Sequence, residues 1–454
     1  MIRKIVGEVL LFFSLFFLVP AIFSLFVKEF IYSLIFDFIS IFLLLIGHAF
    51  SKKYKIEKEE LVKKPGKLII SVVVVWIILP LFGALPYYYF EKSILNSIFH
   101  SFSAWTTTGF LLKDFNSFPL PLKFWLAFEQ WLGGIGIISL VVFVLTQSDV
   151  VYGLLKIEGR EEIIEFTARH SLIKIFKVYL LLTFLNISVL SYSGLNFLDS
   201  LLVSFSTLPT GGVVSITKLT HEQKIITEIF SIMAAITFSF YIFIQKPENL
   251  KVMFKVYENV LFFIFYILFI LVFLFLISPN NFFDLSFHAI SALTTSGFSY
   301  VNLNSFPIHI LIILMAIGGC AASTAGGIKI DRILILMKGI SLRIKQFISA
   351  RDVIVVERFC NQILDDKTIS YAGLILFLYF FTAIIFAIIL NFEIKNFTYS
   401  LFTIVSALSN VGLELGIIGS LSIFSKAILI LAMFIGRLEI IIPLAFISAL
   451  LKKS

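Results

Sequence analysis

Ten apolar segments, each long enough to cross a lipid bilayer, follow one another along this 454-residue chain. A transmembrane helix needs about 20 consecutive, mainly apolar residues. The composition agrees, because 59% of the residues are hydrophobic and only 14% are charged, unlike a water-soluble domain. The chain is therefore predicted to be an all-α polytopic membrane protein. The candidate spans are residues 5–27, 30–49, 67–90, 120–146, 171–194, 223–245, 257–278, 307–337, 371–391 and 424–450.

The first span is predicted to remain in the mature protein. Arg3 and Lys4 precede an apolar run that reaches Val27, and the next span follows at once. A cleavable leader has a shorter apolar region and then a cleavage site of small residues. We therefore expect a retained helix.

The basic residues predict the orientation of the chain in the membrane. Most of them lie in four loops and at the C-terminus, namely residues 51–67, 155–170, 246–255 and 340–359 with Lys452 and Lys453. The positive-inside rule places such loops in the cytoplasm, and an even number of crossings puts both termini there too. The same rule accounts for the net charge of +8. Nucleic-acid binding is not expected.

An internal repeat occupies the rest of the chain. Each of the last four helix pairs is joined on the outer side by a short apolar segment and a glycine-bearing stretch. Aligned on their glycines, the four stretches read "FHSFSAWTTTGF" (99–110), "LVSFSTLPTGGV" (202–213), "FHAISALTTSGF" (287–298) and "FTIVSALSNVGL" (402–413). In the second stretch Gly211 is an alternative to Gly212 as the aligned residue, although the serine and leucine columns favour Gly212.

Two columns of this alignment are polar. Six residues before the glycine stands a serine, for which a structural role is expected: Ser103, Ser206, Ser291 and Ser406. Two residues before it stands a side chain able to hydrogen-bond, predicted to support the loop: Thr107, Thr210, Thr295 and Asn410.

Four irregular loops at membrane depth predict a common polar centre, because backbone there must be buried in protein or line a watery path. Helix C-termini that point inward present partial negative charge to this centre. Glycine lets carbonyl oxygens approach an ion closely, and rings of carbonyls replace the hydration shell of K⁺ in channels. In the first loop the hydroxyls of Thr107 and Thr108 are expected to cap the helix end. The alternative for each glycine, close packing in a sealed bundle, is disfavoured by the agreement of all four.

The repeated plan resembles the Trk/Ktr/HKT superfamily of K⁺ transporters, and the two additional N-terminal helices resemble its Trk branch. Three further stretches carry the resemblance: "EQWLGGIGI" (129–137), "IGGCAASTAGGIK" (317–329) and "GRLEI" (436–440). The resemblance implies a K⁺ selectivity filter whose residues are Thr108, Gly109, Gly211, Gly212, Ser296, Gly297, Val411 and Gly412. Glycine in all four loops implies K⁺ rather than Na⁺ selectivity.

The resemblance also implies a gate within the membrane. Its residues are small or polar and interrupt an over-long span: Gly318, Gly319, Ser323, Thr324, Gly326 and Gly327. Arg437 lies midway through the last span, where a charge is costly and marks a functional site. An ion pair with Glu439 is an alternative, but residues two apart on a helix do not face each other. A pore role for Arg437 is therefore favoured.

Four other features stay open or have ordinary explanations. Glu129 lies within a span near its outer end, and a structural hydrogen bond and a functional role are both consistent with it. Helix packing accounts for "GGIGI", which lacks the third glycine of a dinucleotide fingerprint. Cys320 and Cys360 have no metal-ligand spacing. His100 and His288 recur at matching repeat positions without a repeating acidic partner, so an enzyme is not expected.

The sequence thus predicts K⁺ uptake across the cytoplasmic (inner) membrane through one pore, driven by the membrane potential. The alternative is a Na⁺- or H⁺-coupled K⁺ symporter. No cofactor is expected in the chain, and the resemblance implies a homodimer with a separate nucleotide-binding regulatory subunit in the cytoplasm. The predicted organisation is two N-terminal helices (1–50) and four pore repeats (67–146, 171–245, 257–338 and 371–450).

Overall fold

The computed structural model describes residues 2–52, 65–145, 168–244, 250–301, 303, 306–349 and 355–451. These residues are mainly helical. In chain order the helices are α1 (Ile2–Phe26), α2 (Phe30–Ser51), α3 (Pro65–Glu91), α4 (Ile94–Trp105), α5 (Leu120–Leu145), α6 (Ala168–Tyr192), α7 (Phe197–Thr207), α8 (His221–Ala235), α9 (Phe238–Phe243), α10 (Leu250–Val256), α11 (Glu258–Ile277), α12 (Phe282–Leu293), α13 (Ile308–Ile317), α14 (Ile330–Ile348), α15 (Asp366–Ile394), α16 (Phe397–Leu408), α17 (Ile423–Arg437) and α18 (Ile441–Leu451).

Within the described residues, six single helices are long and apolar enough to cross a membrane. They are α1, α2, α3, α6, α11 and α15. Large apolar side chains are exposed along them, for example Phe26, Phe184 and Leu276. Such exposure is costly in water but suits contact with lipid tails. The protein is therefore a multi-pass membrane protein, as predicted.

Three predicted spans are broken in the structure. The span 223–245 divides into α8 and α9 at Ile236 and Thr237, and the span 307–337 divides into α13 and α14 around residues 318–329. The span 424–450 consists of α17 and α18, which are bent by 97°. An interruption was expected only in the second of these, and the sequence analysis did not predict the breaks in the other two spans. Apolar composition does not reveal a break whose backbone groups find partners elsewhere in the protein.

Four short helices, α4, α7, α12 and α16, each follow a spanning helix of the repeat region. They have 11 or 12 residues, which corresponds to about 18 Å of helix and is too short for a hydrocarbon core of about 30 Å. Side chains cap three of them, because Ser93, Asn196 and Asn396 accept hydrogen bonds from backbone N–H groups of the first turn. The short helices therefore begin at defined positions and end within the protein.

Buried apolar side chains form two large clusters that divide the molecule. One joins α1 and α2 to the helices between α3 and α9. The other joins α11, α13, α15, α16 and α17. The short helices contribute side chains to both clusters. Both clusters therefore help to fix the loops that follow the short helices.

The N-terminal helices α1 and α2 pack closely at two glycines. A methyl group on Gly7 would lie 2.9 Å from the carbonyl oxygen of Gly47, and the reverse distance is also 2.9 Å. The hydroxyl of Ser40 donates a 2.8 Å hydrogen bond to the carbonyl of Ser14. Small residues that let backbones approach are typical of helix pairs in membranes.

A short two-stranded hairpin is present in the otherwise helical fold. Strands β1 (Arg358–Phe359) and β2 (Gln362–Ile363) pair antiparallel. Cys360 and Asn361 form the turn with positive φ angles of 48° and 68°, as a two-residue type I′ turn requires.

Most of the predicted basic loops 51–67 and 155–170, with Lys452 and Lys453, lie outside the described residues.

Candidate functional site

Each short helix is followed by a glycine loop, and the four are named here glycine loops 1 (106–110), 2 (209–213), 3 (294–298) and 4 (409–413). They share one helix-ending motif. In loop 1 the N–H of Thr107 donates to the carbonyl of Ala104, and the N–H of Thr108 donates to the carbonyl of Ser103, both at 2.9 Å. These two bonds define a Schellman motif, which satisfies carbonyls that a helix end leaves free. In the other loops, the bonds that match the one from Thr108 to Ser103 run from a backbone N–H to a carbonyl: from Gly211 to Ser206, from Ser296 to Ser291 and from Val411 to Ser406.

The left-handed residue of each motif is not a glycine. Its φ lies between 51° and 57° in every loop, and the residues are Thr107, Thr210, Thr295 and Asn410. A β-branched residue rarely adopts this conformation, which costs about 1–3 kcal/mol and persists where surrounding structure imposes it, often at functional sites. These four residues are the polar column of the sequence alignment.

The hydroxyl groups do not act as predicted in loop 1. The backbone N–H groups of Thr107 and Thr108 cap the helix, whereas the Thr107 hydroxyl has no hydrogen-bond partner among the described residues. The Thr108 hydroxyl instead accepts a 3.0 Å hydrogen bond from Asn410 Nδ2. This side-chain bond therefore joins loop 4 to loop 1.

The four loops close into a ring. In each loop, a methyl group on the aligned glycine would lie about 2 Å from a carbonyl oxygen of the next loop, so only hydrogen fits. The four contacts are 1.9 Å from Gly109 to Gly211, 2.1 Å from Gly212 to Ser296, 1.7 Å from Gly297 to Val411 and 1.9 Å from Gly412 to Thr108. Loop 4 thus returns to loop 1, and loops 1 and 3 lie on opposite sides.

The ring distinguishes the two glycines of loop 2. Gly212 has a φ of 61° and contacts loop 3, like its counterparts in the other loops. Gly211 instead occupies the position of Thr108, Ser296 and Val411, whose carbonyl faces the neighbouring glycine. Gly212 is therefore the aligned residue.

Segment 318–329 breaks the span between α13 and α14 and forms a closed loop. The N–H of Ile328 donates to the carbonyl of Ala316 at 2.9 Å, and the N–H of Lys329 to that of Ile317 at 3.0 Å. Gly318 and Gly327 have φ angles of 73° and 80°. The two ends of the segment therefore lie close together, where α13 ends and α14 begins.

The break after α8 provides the partners for this segment. The carbonyl of Ala235 accepts a 2.9 Å hydrogen bond from the N–H of Cys320. The hydroxyl of Thr324 lies within hydrogen-bond distance of two carbonyls, 3.1 Å from that of Ala234 and 2.8 Å from that of Leu208. Two interrupted spans thus satisfy each other's backbone groups, which explains how both breaks are tolerated at membrane depth.

Segment 318–329 also touches the glycine loops. The N–H of Gly326 donates a 2.7 Å hydrogen bond to the Thr295 hydroxyl. A methyl group on Gly326 would lie 1.8 Å from the carbonyl oxygen of Ser409. With the bond from Thr324 to Leu208, the segment contacts the ends of three short helices directly behind the ring.

Arg437, at the end of α17, binds this segment and is buried with 3% exposure. Its Nη1 donates to the carbonyl of Thr324 at 3.2 Å, and its Nη2 to that of Gly133 at 2.8 Å. Glu439 instead pairs with Arg332 at 2.5 Å. No acidic side chain in the described part of the chain forms an ion pair with Arg437, so its charge faces backbone carbonyls.

Comparison with known proteins bears on this arrangement. The family model TrkH, described as a cation transport protein, matches residues 253–453. An uncharacterized cation transporter of Methanocaldococcus jannaschii is 32% identical over 100% of this chain and 96% of its own length.

This chain belongs to the TrkH family of cation transport proteins.

A further relative and a solved structure agree with membership of the TrkH family. The Trk system potassium uptake protein TrkH of Vibrio parahaemolyticus is 29% identical over 97% of this chain and 96% of its own length. The crystal structure of the potassium transporter TrkH from Vibrio parahaemolyticus superposes with a TM-score of 0.81 and 25% identity, covering 98% of this chain and 97% of that one. The resemblance stated from the sequence is confirmed.

Two serines of the alignment column support their glycine loops in this TrkH family member. The hydroxyl of Ser291 donates to the carbonyl of Phe298, and that of Ser406 to the carbonyl of Leu413, both at 2.8 Å. Each bond reaches the residue directly after the aligned glycine. The structural role expected for the serines agrees with these contacts at Ser291 and Ser406, whereas the Ser103 hydroxyl has no hydrogen-bond partner among the described residues.

Glu129 forms a hydrogen-bond network away from the ring. Its carboxylate accepts hydrogen bonds from the hydroxyls of Ser101, at 2.8 Å, and Tyr87. The three residues lie on α3, α4 and α5 and are completely buried. Of the two roles left open by the sequence, the structural one fits these contacts.

Two polar residues near the site were not selected from the sequence. Asp331 accepts hydrogen bonds of 2.6 Å from the N–H of Ala321 and from Asn259 Nδ2, and so ties segment 318–329 to α11. Gln130 contacts glycine loop 2 from α5. A polar residue in an apolar span was the available signal in both cases.

Proposed function

We propose that this protein conducts K⁺ into the cell through a pore whose selectivity filter is the ring of glycine loops. The proposal rests on the ring of contacts in which each aligned glycine lies against a carbonyl oxygen of the next loop. Main-chain oxygens at such a ring can replace the hydration shell of a weakly hydrated cation. The C-termini of four short helices direct partial negative charge toward the same centre. The potassium uptake named for the relatives supports K⁺ as the ion.

The driving force is the membrane potential. It is worth about 2.3 kcal/mol per elementary charge for each 100 mV. A conducting ring needs no covalent chemistry and no second ion. The proposal therefore differs from Na⁺- or H⁺-coupled symport, in which removing the coupling ion stops uptake.

Segment 318–329 and Arg437 act as the gate in this proposal. The segment lies against the ends of three short helices, and the guanidinium group of Arg437 joins it to the carbonyl of Gly133 on α5. Moving the segment requires breaking the bonds made by Thr324, Gly326 and Arg437. The closed state is thus held by a few identifiable hydrogen bonds.

The wider arrangement is part of the same proposal. The protein lies in the cytoplasmic membrane with both termini inside, forms a homodimer with one pore per protomer, and binds a separate nucleotide-binding regulatory subunit on its cytoplasmic side. The pore repeats are residues 67–146, 171–245, 257–338 and 371–450. The positive-inside rule supports the orientation.

Growth of a K⁺-uptake-deficient bacterium on low K⁺ tests the function. We expect the parent chain to restore growth, without added Na⁺ and with little dependence on external pH. A Gly109→Ser variant should lose this ability or admit Na⁺, because its side chain would meet the Gly211 carbonyl. Failure of the parent to restore growth, while it is present in the membrane by immunoblot, would overturn the proposal. Uptake that requires Na⁺ or a proton gradient would favour symport.

A further inference from the structure

Gln130 reaches from α5 of the first repeat into glycine loop 2. Its Nε2 donates a 2.7 Å hydrogen bond to the carbonyl oxygen of Gly211. Its Oε1 accepts a 2.8 Å bond from the Ser206 hydroxyl and a 3.4 Å bond from the N–H of Val213. The side chain is completely buried. Both ends of the amide group are therefore engaged by one loop.

The amide of Gln130 fills the space of a missing side chain. A methyl group on Gly211 would lie 2.4 Å from Cδ, 2.5 Å from Nε2 and 2.6 Å from Oε1 of Gln130. Gly211 is not among the residues with positive φ, so its backbone conformation does not require glycine. The glycine at 211 is instead required by the volume of the neighbouring amide.

The other loops have their own side chains at this position. The Thr108 hydroxyl is 2.9 Å from the Thr106 hydroxyl and accepts a bond from Asn410. The Ser296 hydroxyl donates to that of Ser291 at 3.3 Å. Loop 2 differs, because Gly211 has no side chain and an amide from the first repeat occupies the space instead.

We propose that Gln130 is a positioning residue that sets the ion selectivity of the ring by holding the Gly211 carbonyl. This inference rests on the proposed function of the ring as a K⁺ filter. The held carbonyl is the one that lies against Gly109, so Gln130 fixes the junction between loops 1 and 2. A carbonyl released from its donor is free to move toward a smaller ion, and discrimination against Na⁺ falls.

Flux of Rb⁺, as a K⁺ substitute, and of Na⁺ into liposomes containing the purified full-length protein tests this inference. In Gln130→Ala we expect the ratio of Na⁺ flux to Rb⁺ flux to rise by about tenfold, the factor equivalent to one lost hydrogen bond. Gln130→Glu has the same shape but repels the Gly211 carbonyl, and should shift the ratio in the same direction. The second variant decides the matter if the first does not fold.

A compensating substitution separates positioning from general damage. In the double variant Gln130→Ala/Gly211→Ser, the new hydroxyl occupies the vacated space and can bond Ser206, as Ser296 bonds Ser291. We expect the flux ratio to return most of the way to that of the parent. If Gln130 served only to stabilise the fold, a hydroxyl added at position 211 would not restore the flux ratio.

Gln223 provides a matched control. It is also a buried glutamine with backbone partners, and it donates to the carbonyl of Ser193 at 3.2 Å. Gln223→Ala should lower thermal stability without changing the flux ratio. An unchanged ratio in a folded, conducting Gln130 variant would overturn the inference, as would an equal shift in Gln223→Ala. Absence of Rb⁺ flux in the parent would instead refute the proposed function.

Discussion

The backbone N–H of Gly326 donates a 2.7 Å hydrogen bond to the hydroxyl of Thr295. This bond joins segment 318–329 to the strained residue of glycine loop 3, where φ is 57°. Thr295 therefore forms the end of a short helix with its backbone and accepts a hydrogen bond from the proposed gate with its side chain. A movement of the segment must alter the surroundings of the ring.

Replacing Thr295 with valine should loosen the gate. Valine keeps the branched shape but cannot accept the bond, and a buried N–H without a partner costs about 1–3 kcal/mol. We expect severalfold higher Rb⁺ flux into liposomes in the absence of any regulatory partner. The neighbouring Thr294→Val is the control, because within the described residues the Thr294 hydroxyl bonds only the carbonyl of Ile290, in the preceding helix. Equal flux in the two variants would count against the coupling.

Replacing Arg437 with alanine should raise basal K⁺ flux at equal protein level. The substitution removes the connection between the carbonyls of Thr324 and Gly133, together with a fixed positive charge behind the ring. Arg437→Lys keeps the charge without the forked donor geometry, so an intermediate flux is expected. Normal K⁺ uptake by a well-expressed Arg437→Ala protein would contradict a gating role.

Replacing Gly297 with alanine should abolish selective flux. The methyl group would lie 1.7 Å from the Val411 carbonyl oxygen, at a φ of 69°. Gly194 separates the two effects, because it has a φ of 90° but nothing within 4 Å of an added methyl group. Gly194→Ala should cost about 1–2 kcal/mol of backbone strain and keep its selectivity. Both variants are measured by Rb⁺ and Na⁺ flux, and retained selectivity in Gly297→Ala would argue against the ring as filter.

Replacing Asp331 with asparagine should destabilise segment 318–329. Asparagine has one acceptor oxygen in place of two, so it can accept from only one of the two donors, the N–H of Ala321 and Nδ2 of Asn259. The loss should be about 1–3 kcal/mol, seen as a lower thermal unfolding temperature in detergent. Asp366→Asn is the comparison, because its ion pair with Arg343 is exposed and such pairs contribute little. A similar decrease in both variants would refute the role of Asp331.

Much of the candidate site was readable in the chain because it is repeated. Thr107, Thr210, Thr295 and Asn410 fall in one alignment column, and each has the same left-handed conformation. The aligned glycines likewise share positive φ angles. Local backbone geometry depends on nearby residues, so four similar stretches form four similar helix ends.

Contacts between repeats were not readable in this way. Gln130 and Gly211 are 81 residues apart, and Arg437 and Gly133 are 304 residues apart. No periodicity links such pairs, because they meet only when the helices pack. The same holds for the break after Ala235, whose carbonyl finds its donor in Cys320.

The sequence by itself determined the membrane environment and the four repeated loops, since these follow from apolar length and local pattern, and its motifs resemble those of the family to which the chain belongs. Tertiary structure alone decided that the loops close in the order 1, 2, 3, 4 and that segment 318–329 lies behind the ring, and it agrees with the alignment in making Gly212 the ring glycine. The reason is physical. Inside a membrane every free backbone group must find a partner within the protein, and packing across the whole chain selects which partner it finds.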